Sequence, residues 1–123
     1  MCRTTAFTCS MVLALVATPV QARLAVGYAG TPCTHWNDIR SSSAVVDVVR
    51  EDGMVQWVSG YLTAVNAIRI AARQRPYPLP SYSALKELVH ARCHATPART
   101  FQQVADLLHL DLRGAEPQTG SGE

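Results

Sequence analysis

The sequence predicts an all-α fold: a small single-domain bundle of four to five short helices tied by one disulfide. Three observations predict it. Apolar residues recur at three- and four-residue steps over residues 54–72, 85–93 and 101–112, the signature of helix faces that pack on one another. No stretch shows the apolar–polar alternation of a half-buried strand. Two cysteines, Cys33 and Cys93, remain once the N-terminus is set aside as a leader.

The leader is read from "MCRTTAFTCSMVLALVATPVQARL". A short polar start with Arg3 precedes an apolar run from Met11 to Val16, extended through Ala17 and Val20. Val20-Gln21-Ala22 then places small residues at the two positions a signal peptidase reads. The run falls short of the roughly 20 apolar residues a bilayer span needs. No cysteine follows the cut, which disfavours a lipoprotein, and Arg3 stands alone, which disfavours a twin-arginine leader. Residues 1–22 are therefore expected to be a signal peptide that sends the chain to the periplasm, 23–112 the helical domain and 113–123 a disordered tail.

Removing the leader takes Cys2 and Cys9 with it. Two thiols in an exported chain most simply form one bridge. Closing the loop of about 60 residues between them stabilises the fold by roughly 4 kcal/mol in the chain-entropy account. Ten basic residues then face nine acidic ones, with no basic block, so nucleic acid is not an expected partner.

Residues 23–30 are mixed and read as loosely ordered. In "TPCTHWNDIRSSSAVVDVVREDG" a short helix is expected near 34–40 and another near 43–50, with Trp36, Ile39, Val45, Val46, Val48 and Val49 as apolar members. "DGMVQWVSGYLTAVNAIRIAARQR" is the clearest helix. Asp52 or Gly53 would cap it, and Met54, Trp57, Val58, Tyr61, Val65, Ile68 and Ala72 form its apolar face. Gln56, Ser59, Thr63, Asn66, Arg69 and Arg73 fall largely opposite. Gly60, Ala64 and Ala71 flank the stripe and would let another helix approach closely. Prolines 76, 78 and 80 end the helix in a stiff connector. A third helix is expected from about Ser83 to Ala95, with Leu85, Leu88, Val89 and Cys93 inward. Thr96-Pro97 would restart the chain, proline suiting a first helical turn. Thr100 with Gln103 fits a capping box, ahead of a last stripe of Phe101, Val104, Ala105, Leu108 and Leu112.

The chemistry-bearing stretch is "VHARCHATPARTF". His90 and His94 are four residues apart, so they share a helix face and could hold a metal with Cys33 and His35. An oxidising compartment and the lack of a nearby acidic residue to orient the rings favour surface histidines beside a disulfide instead. Covalent haem would need a second cysteine before the histidine. A catalytic thiol would need Cys93 unpaired. There is no serine elbow, glycine-rich phosphate loop or carboxylate pair, so no enzyme and no cofactor are expected. "WVSGYL" could form a recognition patch, although aromatics at helical spacing belong more often to a core.

The order of these residues, "CTHW" near the start, "WVSGYLTAVN" in the central helix, "CHATP" and then "FQQVADLLHLDL", resembles the HdeA/HdeB group of small periplasmic acid-stress chaperones. It is also similar to the Rap1a/Tai group of periplasmic immunity proteins, which share a "GY" helix and a late cysteine. The resemblance spans about residues 33–112. It implies an all-helical domain with Cys33 bonded to Cys93, the pair that counting gives. It also implies a protein that binds other proteins, either unfolded clients released by acid or one dedicated partner such as an exported toxin or secretion-system component. Trp57, Val58, Tyr61 and Val65 on the central helix are the expected contact residues, hidden at rest in the core or in a homodimer. The chain departs from the lysine-rich acid chaperones in having Lys86 as its one lysine.

Overall fold

The computed structural model describes residues 27–115, whose regular elements are all helices, with no strand among them. The expected signal peptide lies outside the described residues, as does the tail beyond Ala115. A single 3-10 turn, Gly27–Gly30, leads into α1 (Cys33–Arg40), α2 (Val45–Ala71), α3 (Tyr82–Ala95) and α4 (Phe101–Gly114). Cys33 and Cys93 are joined, with Cα atoms 4.9 Å apart and both residues fully buried.

The short α1, only 8 residues long, could not persist alone. The disulfide fastens its first turn to α3. Three backbone bonds fasten it to the start of α4: Cys33 N donates to Arg99 O at 2.8 Å, Thr34 N to Pro97 O at 3.1 Å, and Phe101 N to Thr31 O at 2.9 Å. Trp36 then lies against Phe101 with ring centroids 5.6 Å apart. The remaining core is built from Ile39 on α1, Met54, Val55, Val58 and Leu62 on α2, Leu85 and Val89 on α3, and Val104, Ala105 and Leu108 on α4.

Several sequence expectations need correction. The two helices expected near 43–50 and 53–72 are one helix of 27 residues, about 40 Å long. Gly53 does not break it. A glycine inside a helix costs about 1 kcal/mol, but here a Cβ would come within 3.1 Å of the Tyr28 hydroxyl, so glycine lets the 3-10 turn pack on α2. The N-cap is Ala44, without a side-chain cap, and Asp52 instead accepts a hydrogen bond from the Tyr82 hydroxyl on α3. The buried face of α2 is rotated from the one expected: Val55 and Leu62 are inside while Ile68 is 68% exposed. Arg69, expected outward, is buried. Its guanidinium donates through Nε and Nη2 to Arg75 O at 2.9 and 2.5 Å, and lies over the Tyr77 ring.

At its C-terminus α2 closes in a Schellman arrangement. Gln74 N donates to Arg69 O, Arg73 N donates to Ile70 O, and Arg73 sits in the left-handed region at φ 58°. The proline connector is irregular but not free, because Tyr77 is buried and its backbone is gripped on both sides by Asn66. Leu88 is exposed rather than inward. Pro97 lies in the turn before α4, which begins only at Phe101. The Thr100–Gln103 capping box forms as expected. The 3-10 turn orders residues expected to be loose, with Ala29 fully buried. Arg113 and Gly114, placed in the expected tail, complete α4.

Candidate functional site on the central helix

Of the four expected contact residues, Trp57, Tyr61 and Val65 are half-buried along one edge of α2, and Val58 points into the core with no exposure. Trp57 and Tyr61, one turn apart, stack with ring centroids 6.1 Å apart and planes 18° from parallel. Large rings with a polar tip settle at the rim of a core, where the apolar body is covered and the heteroatom reaches a partner. Gly27, at φ 71°, brings the backbone of the 3-10 turn onto the Trp57 indole; a Cβ there would lie 3.4 Å from it.

Tyr61 donates a short hydrogen bond to Asp106 on α4, which also accepts from Gln102 Nε2 at 3.0 Å. Burial, then the hydrogen bond and charge of Asp106, push the Tyr61 phenol up to about 12. The Tyr82 hydroxyl, though on an exposed residue, is raised to about 12 by partial desolvation and then by its hydrogen bond to the charged Asp52. Both phenols are therefore neutral donors at any physiological pH, suited to tying helices together and not to taking up protons.

Carboxylates form most of the side-chain ties between helices. Besides Asp106 and Asp52, Glu51 on α2 meets Lys86 on α3 at 2.9 Å and Arg40 on α1 at 3.9 Å. Glu87 on α3 accepts from Arg40 Nη2 at 2.8 Å, and this arginine holds its carboxyl below the usual range. Asp111 on α4 pairs with Arg92 on α3.

Chain comparison adds no relative to this picture: no protein-family model, curated protein or solved structure matches the sequence. What the site does must be read from its own geometry.

The histidines lie elsewhere. His90 and His94 lie with ring centroids 6.0 Å apart and planes tilted by 36°, beside a cleft of about 360 Å³ that also involves Asn37, Arg40 and Ser41. Asn37 Nδ2 donates to Cys93 O at 3.3 Å, which joins the cleft wall to the disulfide. Both cysteine sulfurs are consumed in the bridge, so neither is a thiolate nucleophile or metal ligand. Among the described residues no three His, Cys, Asp or Glu side chains are grouped to hold a metal. His109, on α4, instead meets the Tyr77 hydroxyl at 3.1 Å.

The sequence reading missed the outward side of α2. Val45, Val46, Val48 and Val49, expected among the apolar packing residues, are 46–79% exposed, and Ile68 and Ile70 at the other end are exposed as well. The signal that could have found this side is negative: between Gly53 and Ala71 the one charged residue is Arg69. No helix among the described residues is long and apolar enough to cross a membrane.

Proposed function

We propose that the protein is an exported, non-enzymatic protein-binding protein of the HdeA type, which loosens in acid and offers the apolar side of α2 to other proteins. Trp57, Val58, Tyr61 and Val65 would be the contact residues. No cofactor takes part in this reading. The single observation that carries it is the set of carboxylate ties: Glu51, Asp52, Glu87, Asp106 and Asp111 each link one helix to another. Protonation removes the charge from all five. For the chain from Arg23 onward, ten basic residues and four histidines against nine carboxylates move from a net +1 to +14, chain ends ignored. Self-repulsion at that charge favours opening. The core that opening would uncover is apolar and small.

The disulfide supports the reading from the other direction. It keeps α1 and α3 attached when the ionic ties fail, so an acid-opened chain stays partly assembled and can close again. The test is suppression of light scattering by an acid-unfolding enzyme such as lactate dehydrogenase, at pH 2.5 and at pH 7, with near-ultraviolet dichroism of the protein followed alongside. Suppression confined to acid, weakened by Val58→Asp in a chain that still folds at pH 7, is the expected outcome. Intact tertiary signal at pH 2.5 with no suppression would end the proposal. Tight capture of one protein at pH 7 would transfer the function to a dedicated partner-binder of the immunity-protein kind.

A further inference from the structure

Asn37 Oδ1, Arg40 Nη1 and His90 Nδ1 are buried polar atoms that make no hydrogen bond within the chain, and all three belong to residues lining the cleft between α1 and α3. Buried polar atoms are normally partnered, so three such atoms around one cleft ask for an explanation. Ser41 and His94 complete the lining of a space of about 360 Å³. One water takes about 30 Å³ of liquid. The cleft is therefore too large for a lone ion and falls within the size of small-molecule sites, about 300–1,000 Å³.

Helix periodicity builds the site. Asn37 and Arg40 are three residues apart on α1, and His90 and His94 four apart on α3, so each pair shares a face. The disulfide and the bond from Asn37 Nδ2 to Cys93 O hold the two faces together. That bond also fixes the amide: with Nδ2 spent on a carbonyl, Oδ1 is left as an acceptor. Arg40 supplies a donor. Its Nη2 is committed to Glu87 at 2.8 Å, whereas Nη1 stands 3.9 Å from Glu51 Oε1. Each imidazole can donate or accept.

Charge narrows the ligand. Arg40 and Lys86 meet Glu51 and Glu87 beside the cleft, two cations against two carboxylates. A metal ion is disfavoured, because a guanidinium lines the same cleft as the imidazoles and, among the described residues, no third His, Cys, Asp or Glu joins them. A multiply charged phosphate finds no excess of positive charge. A single carboxylate suits the Arg40 donor and the imidazoles, and a neighbouring N–H suits the Asn37 acceptor. We propose that the cleft binds a carboxylate adjacent to an amide N–H, the chemistry shared by a peptide C-terminus and a free N-acyl amino acid. The carboxylate accepts from Arg40 Nη1 and from the N–H groups of His90 and His94, and the amide N–H donates to Asn37 Oδ1.

The cleft belongs to the closed fold and is tested at pH 7. Failure here leaves acid suppression of aggregation untouched, and the reverse holds too. The ¹⁵N-labelled protein, its disulfide intact, is titrated with N-acetyl-trialanine bearing a free C-terminus. Amide shifts should cluster at residues 37–41 and 90–94 and saturate by about 10 mM, the weak end of specific affinity. The C-terminal amide of the same peptide should bind at least tenfold more weakly, as should the free acid methylated on its last peptide nitrogen. N-acetylalanine separates the sources. Affinity equal to the peptide's assigns the cleft to free acylamino acids, and at least fivefold weaker binding assigns it to peptide ends. His94→Glu, at an exposed position on the cleft, should weaken binding at least tenfold with the melting temperature retained. Ala67→Glu, an equal charge change at an exposed position on α2, should leave binding unaltered. No saturable shift overturns the proposal, as do equal binding of the acid and its amide and shifts centred outside the cleft. Equal affinity of the N-methylated peptide overturns the role of Asn37.

Discussion

Removing the disulfide by Cys33→Ala with Cys93→Ala tests how the fold is held. The bridge closes a loop with a sequence separation of 60. The chain-entropy relation gives about 14 cal/mol/K for such a loop, or roughly 4 kcal/mol at 25 °C. Loss of two buried sulfur-bearing side chains from a packed site adds to that, because both cysteines have no solvent exposure. Against a typical total of 5–15 kcal/mol, this is a large share. In a domain of this size each kcal/mol is worth about 4–8 °C, so the double variant should melt roughly 16–32 °C lower by far-ultraviolet dichroism. The remaining attachments of α1 are the backbone bonds to residues 97–101, the Asn37–Cys93 bond, the ion pairs of Arg40 with Glu51 and Glu87, and the packing of Trp36 and Ile39. With the bridge gone, the variant should lose the Trp36 tertiary signal with, or before, the bulk of its helix. A fall of less than about 5 °C would refute the reasoning, for it would mean that these attachments hold α1 without the bridge.

Four further outcomes follow from the geometry. Gly60→Ala should raise stability by about 0.5–1 kcal/mol, since it removes helix-interior glycine where the new methyl meets nothing; Gly53→Ala should gain less or lose, because Tyr28 must move, and urea denaturation of the pair measures the difference. Arg73→Gly should gain up to about 1 kcal/mol by relieving the left-handed residue at the end of α2, read in the same assay. Arg69→Met keeps the apolar stem but leaves Arg75 O without its guanidinium donor, and should cost about 1.5–3 kcal/mol, with faster amide exchange across the proline connector. Tyr61 and Tyr82, with folded pKa values raised from 10.0 to about 12, contribute stability that is whole below pH 10 and is lost as pH climbs through about 12; Tyr61→Phe should flatten that alkaline limb in a phenolate absorbance titration.

The parts of the fold legible in the sequence are those fixed by local chemistry or by counting. Cys33 and Cys93 were the cysteines left after the leader, and Thr100 with Gln103 carries its capping box on its face. Met54 and Val58 fell on the right side because a 3.6-residue period is hard to disguise. The misread positions share another cause, since they depend on what the neighbouring element requires. Gly53 reads as a helix start by propensity, but the Tyr28 ring decides it. Arg69 reads as a solvent residue by charge, yet its long stem suits a buried site once a carbonyl such as Arg75 O receives the head group. Val45 to Val49 read as core by hydropathy, and hydropathy does not say where a chain runs out of partners. The helix α2 has 27 residues and α3 and α4 have 14 each, so α2 runs past the elements that could cover it.

That overhang does not share in the acid response. The ties between helices are carboxylates and titrate; the outward stripe of α2 from Gly53 to Ala71 contains no carboxylate. Glu87, whose carboxyl is held low by Arg40, contributes stability above its usual pKa of 4.5 that is lost as pH falls below it. The net positive charge gained in acid adds a long-ranged repulsion, which is screened at 1 M salt, where the Debye length is about 3 Å. At pH 3 the near-ultraviolet signal should therefore fall at both low and high salt, and further at low salt. A signal at pH 3 that 1 M salt restored in full would assign the opening to net charge alone and remove the carboxylate ties as its cause.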